Sequence, residues 1–144
     1  MYKKILIPLE NSKYDNVILD HIKLLAKEFQ AQLILVHVAD GYGARMQKQL
    51  NLVDSEEIKK DRSYLEKQKN KLINEGFIVI SFLQRGEPSD EILKIAVQEQ
   101  CDLIAMATHG HRFVKDIIFG SVAENIRHRT NIPILMVKSQ KTLK

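Results

Sequence analysis

The sequence predicts an α/β fold, a parallel β-sheet covered by helices on both faces. Short apolar runs rich in β-branched residues alternate with longer segments whose apolar residues recur at helical spacing, the order expected of successive β-α-β units. Most of the short runs are continuously apolar instead of alternating, which places those strands inside the molecule. The 144 residues can bury a core without disulfides or metals but are too few for two well-cored units, so residues 1–144 are read as one domain.

The elements follow in order. Residues 5–7 form a first strand that ends at Pro8. Ser12 is expected to cap a helix reaching about Phe29, in which Val17, Ile18, His21, Ile22, Leu25 and Phe29 recur at helical spacing. Residues 33–38 read as the second strand, and residues 40–53 as a long surface connection at its carboxyl end. A more polar helix is expected over about residues 55–74, opened by Ser55 with Glu56 and Glu57 in its first turn and closed by Gly76. The third strand spans residues 77–83. Pro88 then starts a helix with Asp90 and Glu91 complementing its dipole and Ile92, Leu93 and Ile95 facing inward. Residues 103–107 form a fourth strand, residues 122–129 a helix with Arg127, His128 and Arg129 at its negative end, and residues 132–137 a fifth strand. Strands one, two, four and five are expected to be buried on both faces.

Composition excludes several classes of function. The 22 basic and 18 acidic residues are interspersed and leave a net charge of +4, aromatic residues make up 6%, and tryptophan is absent. No stacking platform or basic stripe for nucleic acid is present, whereas the mild positive balance suits a small polyanion such as a nucleotide. No apolar run approaches the ~20 residues of a membrane span. The amino terminus reads as a first strand and not as a signal peptide, because Glu10 follows the short basic start and no small-residue cleavage site appears. The one cysteine, Cys101, excludes a disulfide framework and a structural zinc site, and makes a reducing cytoplasm the expected location.

The segment from Ala107 to Ser121 reads as an anion cradle. It follows the apolar run ending at Met106, carries Gly110 and Gly120, and leads into the helix expected from Val122. Glycines permit close approach of backbone to ligand, and a first helical turn offers unpaired N–H groups and the positive end of the dipole. Ser121 adds a hydroxyl. His109, His111, Arg112 and Lys115 form either an anion-facing group or an ordinary basic loop. In an open α/β sheet, ligands bind beyond the carboxyl ends of the strands where strand order reverses. That rule adds Pro8, Leu9 and Glu10 after strand one and Val38 and Asp40 after strand two.

The set resembles the universal stress protein family. The resemblance rests on the opening Tyr2-Lys3-Lys4-Ile5-Leu6-Ile7-Pro8, on Leu35-Val36-His37-Val38, on Arg85-Gly86-Glu87-Pro88, on Met106-Ala107-Thr108-His109-Gly110 and on Gly120-Ser121-Val122-Ala123-Glu124, all in family order. It implies a Rossmann-like three-layer α/β/α fold of the adenine nucleotide alpha hydrolase type, with five parallel strands in the order 3-2-1-4-5. It further implies a homodimer with the last strand near the interface.

The ATP-binding branch of the family carries Gly, two residues, Gly, nine residues, then Gly with Ser or Thr. Gly110, Gly120 and Ser121 match it, while Ala107 stands at the first glycine. If that glycine serves only to admit the ribose, one methyl is tolerable; if the position demands positive φ, alanine costs about 1 kcal/mol or more. Glu10 stands where the family commonly has Asp near the nucleotide, and Val38 matches the position whose backbone pairs with adenine. The resemblance thus implies ATP or another adenine nucleotide as ligand, with Mg²⁺ held by its phosphates. The implied site comprises Pro8, Leu9, Glu10, Val38, Met106, Ala107, His109, Gly110, His111, Gly120, Ser121 and Val122.

Catalysis finds little support. No Gly-x-Ser-x-Gly elbow, Walker loop or Ser-Gly-Gly-x-Asp-Ser loop occurs, and Glu10 and Asp40 are the only candidate bases for slow ATP hydrolysis. Cys101 reads as a packed residue at the opposite end of the sheet, and His37 as a hydrogen-bonded core residue. Two functions remain in view. One is a nucleotide-dependent sensor or adaptor acting on a protein partner; the other is a dimeric interaction module that binds no nucleotide, which Ala107 and Glu10 favour.

Overall fold

The structure is a computed structural model describing residues 1–39, 56–109 and 114–139, the side chains of residues 109, 114–120 and 139 excepted. Strands β1 (Lys4–Pro8), β2 (Gln32–Ala39), β3 (Val79–Arg85), β4 (Leu103–His109) and β5 (Ile134–Ser139) form one sheet of order β3-β2-β1-β4-β5. All neighbouring pairs are parallel. Among the described residues, the chain between strands carries helices α1 (Asp15–Phe29), α2 (Glu56–Asn74), α3 (Pro88–Gln98) and α4 (Val114–Arg129). Strand order is therefore the one the family resemblance implies.

Alternation along the strands divides the core into two layers. Ile5, Ile7, Leu33, Leu35, Leu103, Ala105 and Ala107 pack with Ile18, Leu19, Ile22 and Ala26 of α1 and with Leu65 and Leu72 of α2. Leu6, Ile34, Val36, Ile104 and Met106 pack on the other face with Ile92, Ile95 and Ala96 of α3 and Val122, Ala123 and Ile126 of α4. The expected two-sided burial holds for the core of β1, β2 and β4 but not for β5. Ile134 and Leu135 are half-buried and Met136 is 40% exposed, because an edge strand has a neighbour on one side only.

Local boundaries shift for identifiable reasons. Helix α1 starts at Asp15, with Tyr14 at its N-cap making no side-chain cap bond. The Ser12 hydroxyl instead accepts the Tyr14 N–H at 3.2 Å, closing a turn ahead of the helix. The buried face is Asp15, Ile18, Leu19, Ile22 and Ala26, which leaves His21 exposed. Strand β3 starts at Val79, since the Phe77 N–H goes to the Leu72 carbonyl and completes the end of α2. Gly76 there has φ +100°, and its N–H bonds to the Ile73 carbonyl at 2.9 Å. Pro88 opens α3 as expected, with the Glu87 carboxylate accepting the Asp90 N–H at 2.9 Å.

Helix α4 starts at Val114 rather than near Val122. Val114, Ile117 and Ile118 extend the helical spacing of Val122, Ala123 and Ile126 backwards, and that continuity outweighs the intervening Gly120. Gly120 and Ser121 thus lie inside the helix and not ahead of it. Ser55, Asp40 and the 40–53 connection lie outside the described residues.

Replacing Ile104, 0% exposed in β4, by alanine is expected to lower the unfolding free energy by about 2–5 kcal/mol. Leu24→Ala on the outer face of α1, where Leu24 is 75% exposed, should change it by no more than about 0.5 kcal/mol. Urea unfolding of both variants checks the layering, and equal losses would contradict it.

Candidate functional site

The strand order reverses between β1 and β4, and the pairing there is short. β1 stays paired with β2 out to Pro8↔Val36, and β4 with β5 out to His109↔Ser139. Between β1 and β4 the register covers only Ile5↔Leu103 and Leu6↔Ile104. Beyond Leu6 the two central strands part, and a ladder that ends leaves backbone donors and acceptors to be met by water or ligand. This is the crevice in which open α/β sheets bind their ligands.

The structure places the predicted residues as follows. Pro8 is buried at the end of β1, and Leu9 after it is 3% exposed, donating its N–H to the Val36 carbonyl at 2.8 Å. Half-buried Glu10 follows. Val38 is half-buried near the end of β2, paired in register with Gln84. Met106 and Ala107 are buried on opposite faces of β4, and the backbone of His109 ends that strand. Val122 is buried under the α3/α4 face, whereas Ser121 beside it is exposed. Gly110, His111 and Arg112 lie outside the described residues, and of Lys115 and Gly120 only the helical backbone is described.

Ala107 resolves one of the alternatives raised by the sequence. It has regular strand pairing with Val137, and the described non-glycine residues with positive φ are Asn11, Gln30 and Gln100. No glycine conformation is demanded at Ala107. Its methyl group, 3% exposed, joins the apolar layer under α1. The substitution therefore removes no backbone freedom that this strand uses.

Sequence reasoning missed the most constrained group of the site, Asp15. Its side chain, 1% exposed, accepts the Glu10 N–H at 3.0 Å and the Ser12 N–H at 3.1 Å, so it holds the β1–α1 turn from within. Burial pushes its carboxyl up from an ordinary 3.8 to about 6; the N–H bonds from Glu10 and Ser12 oppose this and the neighbouring Glu10 carboxylate reinforces it. An Asp three residues after a Ser, at the head of an apolar helical pattern, was the available signal.

His37 is hydrogen-bonded, as expected for its place. Its Nδ1 lies 2.8 Å from the Leu9 carbonyl and its Nε2 lies 3.4 Å from Asp61 Oδ2. At the far end of the sheet, burial pushes the Cys101 thiol up to about 12, which removes it as a nucleophile near neutral pH. Among the described residues no group of three or more His, Cys, Asp or Glu side chains is placed to hold a metal ion.

Residues 1–138 match the profile of the Universal stress protein family. The chain belongs to this family. Universal stress protein MJ0577 of Methanocaldococcus jannaschii is 31% identical over 159 aligned positions, covering 99% of this chain and 98% of that protein. The solved structure of MJ0577 matches with a TM-score of 0.81 at 34% identity over 99% of both chains. A universal stress protein from Archaeoglobus fulgidus, solved in complex with dAMP, has a TM-score of 0.70 at 21% identity, covering 95% of this chain and 98% of that one. Another, solved in complex with cAMP, has a TM-score of 0.68 at 16% identity, covering 96% and 98%. With these last two, this universal stress protein shares the fold.

Asp15 makes the stability of this universal stress protein depend on pH in a defined direction. The folded chain binds the Asp15 proton more tightly than the unfolded chain, so the contribution is full below about pH 4 and is lost as pH rises through about 6. Relative to Asp15→Asn, the wild type is expected to gain about 2 kcal/mol on going from pH 7.0 to pH 4.5, read by urea unfolding. An identical difference at both pH values would show that Asp15 is not the titrating group.

Proposed function

We propose that the chain binds an adenine nucleotide, ATP or a close relative, in the crevice between β1 and β4, and acts as a nucleotide-dependent sensor or adaptor with little or no hydrolysis. The observation that carries this reading is the early end of the β1–β4 ladder, whose pairing stops at Leu6↔Ile104 where strand order reverses. The dAMP and cAMP complexes formed by proteins of the same fold support it.

In this reading the Val38 peptide pairs with adenine, which suits any side chain there because the backbone makes the contact. Pro8, Leu9, Met106 and Ala107 border the sugar, and Glu10 orients it or a metal-bound water. The phosphates lie along the segment that contains His109, Gly110 and His111 and reach Gly120 and Ser121 on α4, while Val122, buried under the α3/α4 face, supports them from the core side. There Gly120 admits a phosphate to the helix surface and the exposed Ser121 supplies a hydroxyl. Mg²⁺ comes coordinated to the phosphates.

The alternative is an interaction module that works without nucleotide, for which the half-exposed β5 edge with Met136 offers a surface. A strand edge of that kind is ordinarily covered, and a second copy of the chain pairing through β5 would cover it. Light scattering at micromolar concentration is expected to give a dimer in either case, so nucleotide binding is what separates the two readings.

Titration calorimetry of ATP and Mg²⁺ into nucleotide-stripped protein is expected to give micromolar binding. Gly120→Ala should raise thermal stability slightly, since alanine is favoured over glycine inside a helix by about 1 kcal/mol, and should weaken ATP binding about tenfold. No heat with the wild type and an unchanged melting temperature would favour the interaction module. A stabilised variant that binds ATP as before would remove Gly120 from the site.

A further inference from the structure

The turn between β1 and α1 is held from three separate elements, more than its own closure requires. Asp15 of α1 already caps it by accepting the Glu10 and Ser12 N–H groups. From β2, the His37 ring reaches the Leu9 carbonyl at 2.8 Å. From α2, the Asn11 side-chain amide donates to the Asp61 carbonyl at 3.0 Å, and the Tyr64 hydroxyl donates to the Ser12 carbonyl at 3.0 Å. Asn11 itself has φ 59°, in the left-handed region that a non-glycine residue occupies at a cost. A strained residue persists where its surroundings over-determine it, and such places cluster at ligand sites.

The chemistry of His37 gives the arrangement its purpose. A carbonyl oxygen cannot donate, so Nδ1 must carry the proton in the bond to Leu9. The other ring nitrogen faces the Asp61 carboxylate at 3.4 Å, which in turn lies 3.4 Å from the Asn11 amide. One imidazole therefore spans from the β1 turn to α2, and it stands in β2 immediately before Val38. The same strand end thus supplies both the tie to Leu9 and the peptide assigned to adenine.

We propose that His37, supported by Asp61 and Tyr64, is a positioning residue that fixes the separation between the Leu9–Glu10 turn and the Val38 peptide, both on the β1/β2 side of the crevice, and so matches that side to one adenosine. This rests on the nucleotide reading above. His37 acts through the Leu9 carbonyl, Tyr64 acts through Ser12, and Asp61 holds Asn11 through its carbonyl and pairs with the ring Nε2 when the imidazole is protonated.

The test combines nucleotide affinity with amide hydrogen exchange in the ligand-free protein. His37→Leu, folded by circular dichroism, is expected to bind ATP at least tenfold more weakly and to exchange the Glu10 and Ser12 amides faster. His37→Asn, whose amide nitrogen can replace Nδ1 as donor to Leu9, should restore affinity to within about threefold of wild type and slow the exchange again. Tyr64→Phe, which removes only a hydroxyl, should weaken ATP binding about threefold and serves if His37→Leu does not fold. Wild-type affinity in both His37→Leu and Tyr64→Phe overturns the proposal, whether or not exchange quickens. Weakened binding that asparagine does not restore overturns it too, since the Leu9 bond is then not the cause. A wild type that binds none of AMP, ADP or ATP overturns the nucleotide reading and this one together, whereas the variant outcomes bear on His37 alone.

Discussion

The burial of β1 on both faces and both edges is the constraint on which the rest of the structure depends. Ile5, Leu6 and Ile7 are 0% exposed, and the strand pairs with β2 on one side and β4 on the other. Where it has a neighbour on each edge, at Ile5 and Leu6, its backbone groups find their hydrogen-bond partners inside the sheet. Parallel neighbours require crossover connections, and their fixed handedness sends α1 and α2 to one face and α3 and α4 to the other. The chain therefore winds outward from β1 to β3, returns to β4 and continues to β5. The reversal point next to β1 is a consequence of that winding.

The two ends of the β1–β4 seam differ in kind. At the amino end the Asp102 carboxylate accepts the Lys3 and Lys4 N–H groups at 2.9 and 3.1 Å, and the Asp102 N–H returns to the Lys4 carbonyl. These bonds lock the register where the strands begin. At the carboxyl end the register stops after Leu6, and the chain leaves through Pro8 and a turn tied to α1, β2 and α2. One end is a structural clasp and the other is an opening with a prepared rim. Exposed ion pairs such as Arg127 with Glu124 contribute little to either, because solvent screens them.

Departures from the family pattern look different once the backbone is in view. Ala107 lies in ordinary strand geometry, so its methyl costs no backbone strain and adds to the buried layer below. Glu10 follows a turn whose position is set by a carboxylate, Asp15, kept in the interior despite the cost of burying it. Universal stress proteins that share this fold have been solved with dAMP and with cAMP.

Much of the fold was legible in the sequence because it depends on local period and punctuation. Continuous apolar runs marked the inner strands, and Gly76 and Pro88 marked helix ends by the backbone conformations they permit. The family pattern supplied the strand order. Edges were harder to read. The apolar residues of β5 look like those of β1, yet Met136 is 40% exposed, because sheet position and not composition decides whether a strand has one neighbour or two. Helix α4 began earlier than Gly120 suggested, since one glycine inside a helix costs only about 1 kcal/mol.

By itself the sequence determined the number and type of these strands and the family to which they belong, for those are written in spacing and residue type along the chain. Only the tertiary structure decided that Asp15 turns inward to hold Glu10 and Ser12, and that His37, Asp61 and Tyr64 meet the same turn from two other elements. Asp61 and Tyr64 lie 50 and 52 positions from the residues they hold, Asn11 through its side-chain amide and Ser12 through its carbonyl. Contacts at that range arise from packing α2 against the sheet, and no local period encodes them.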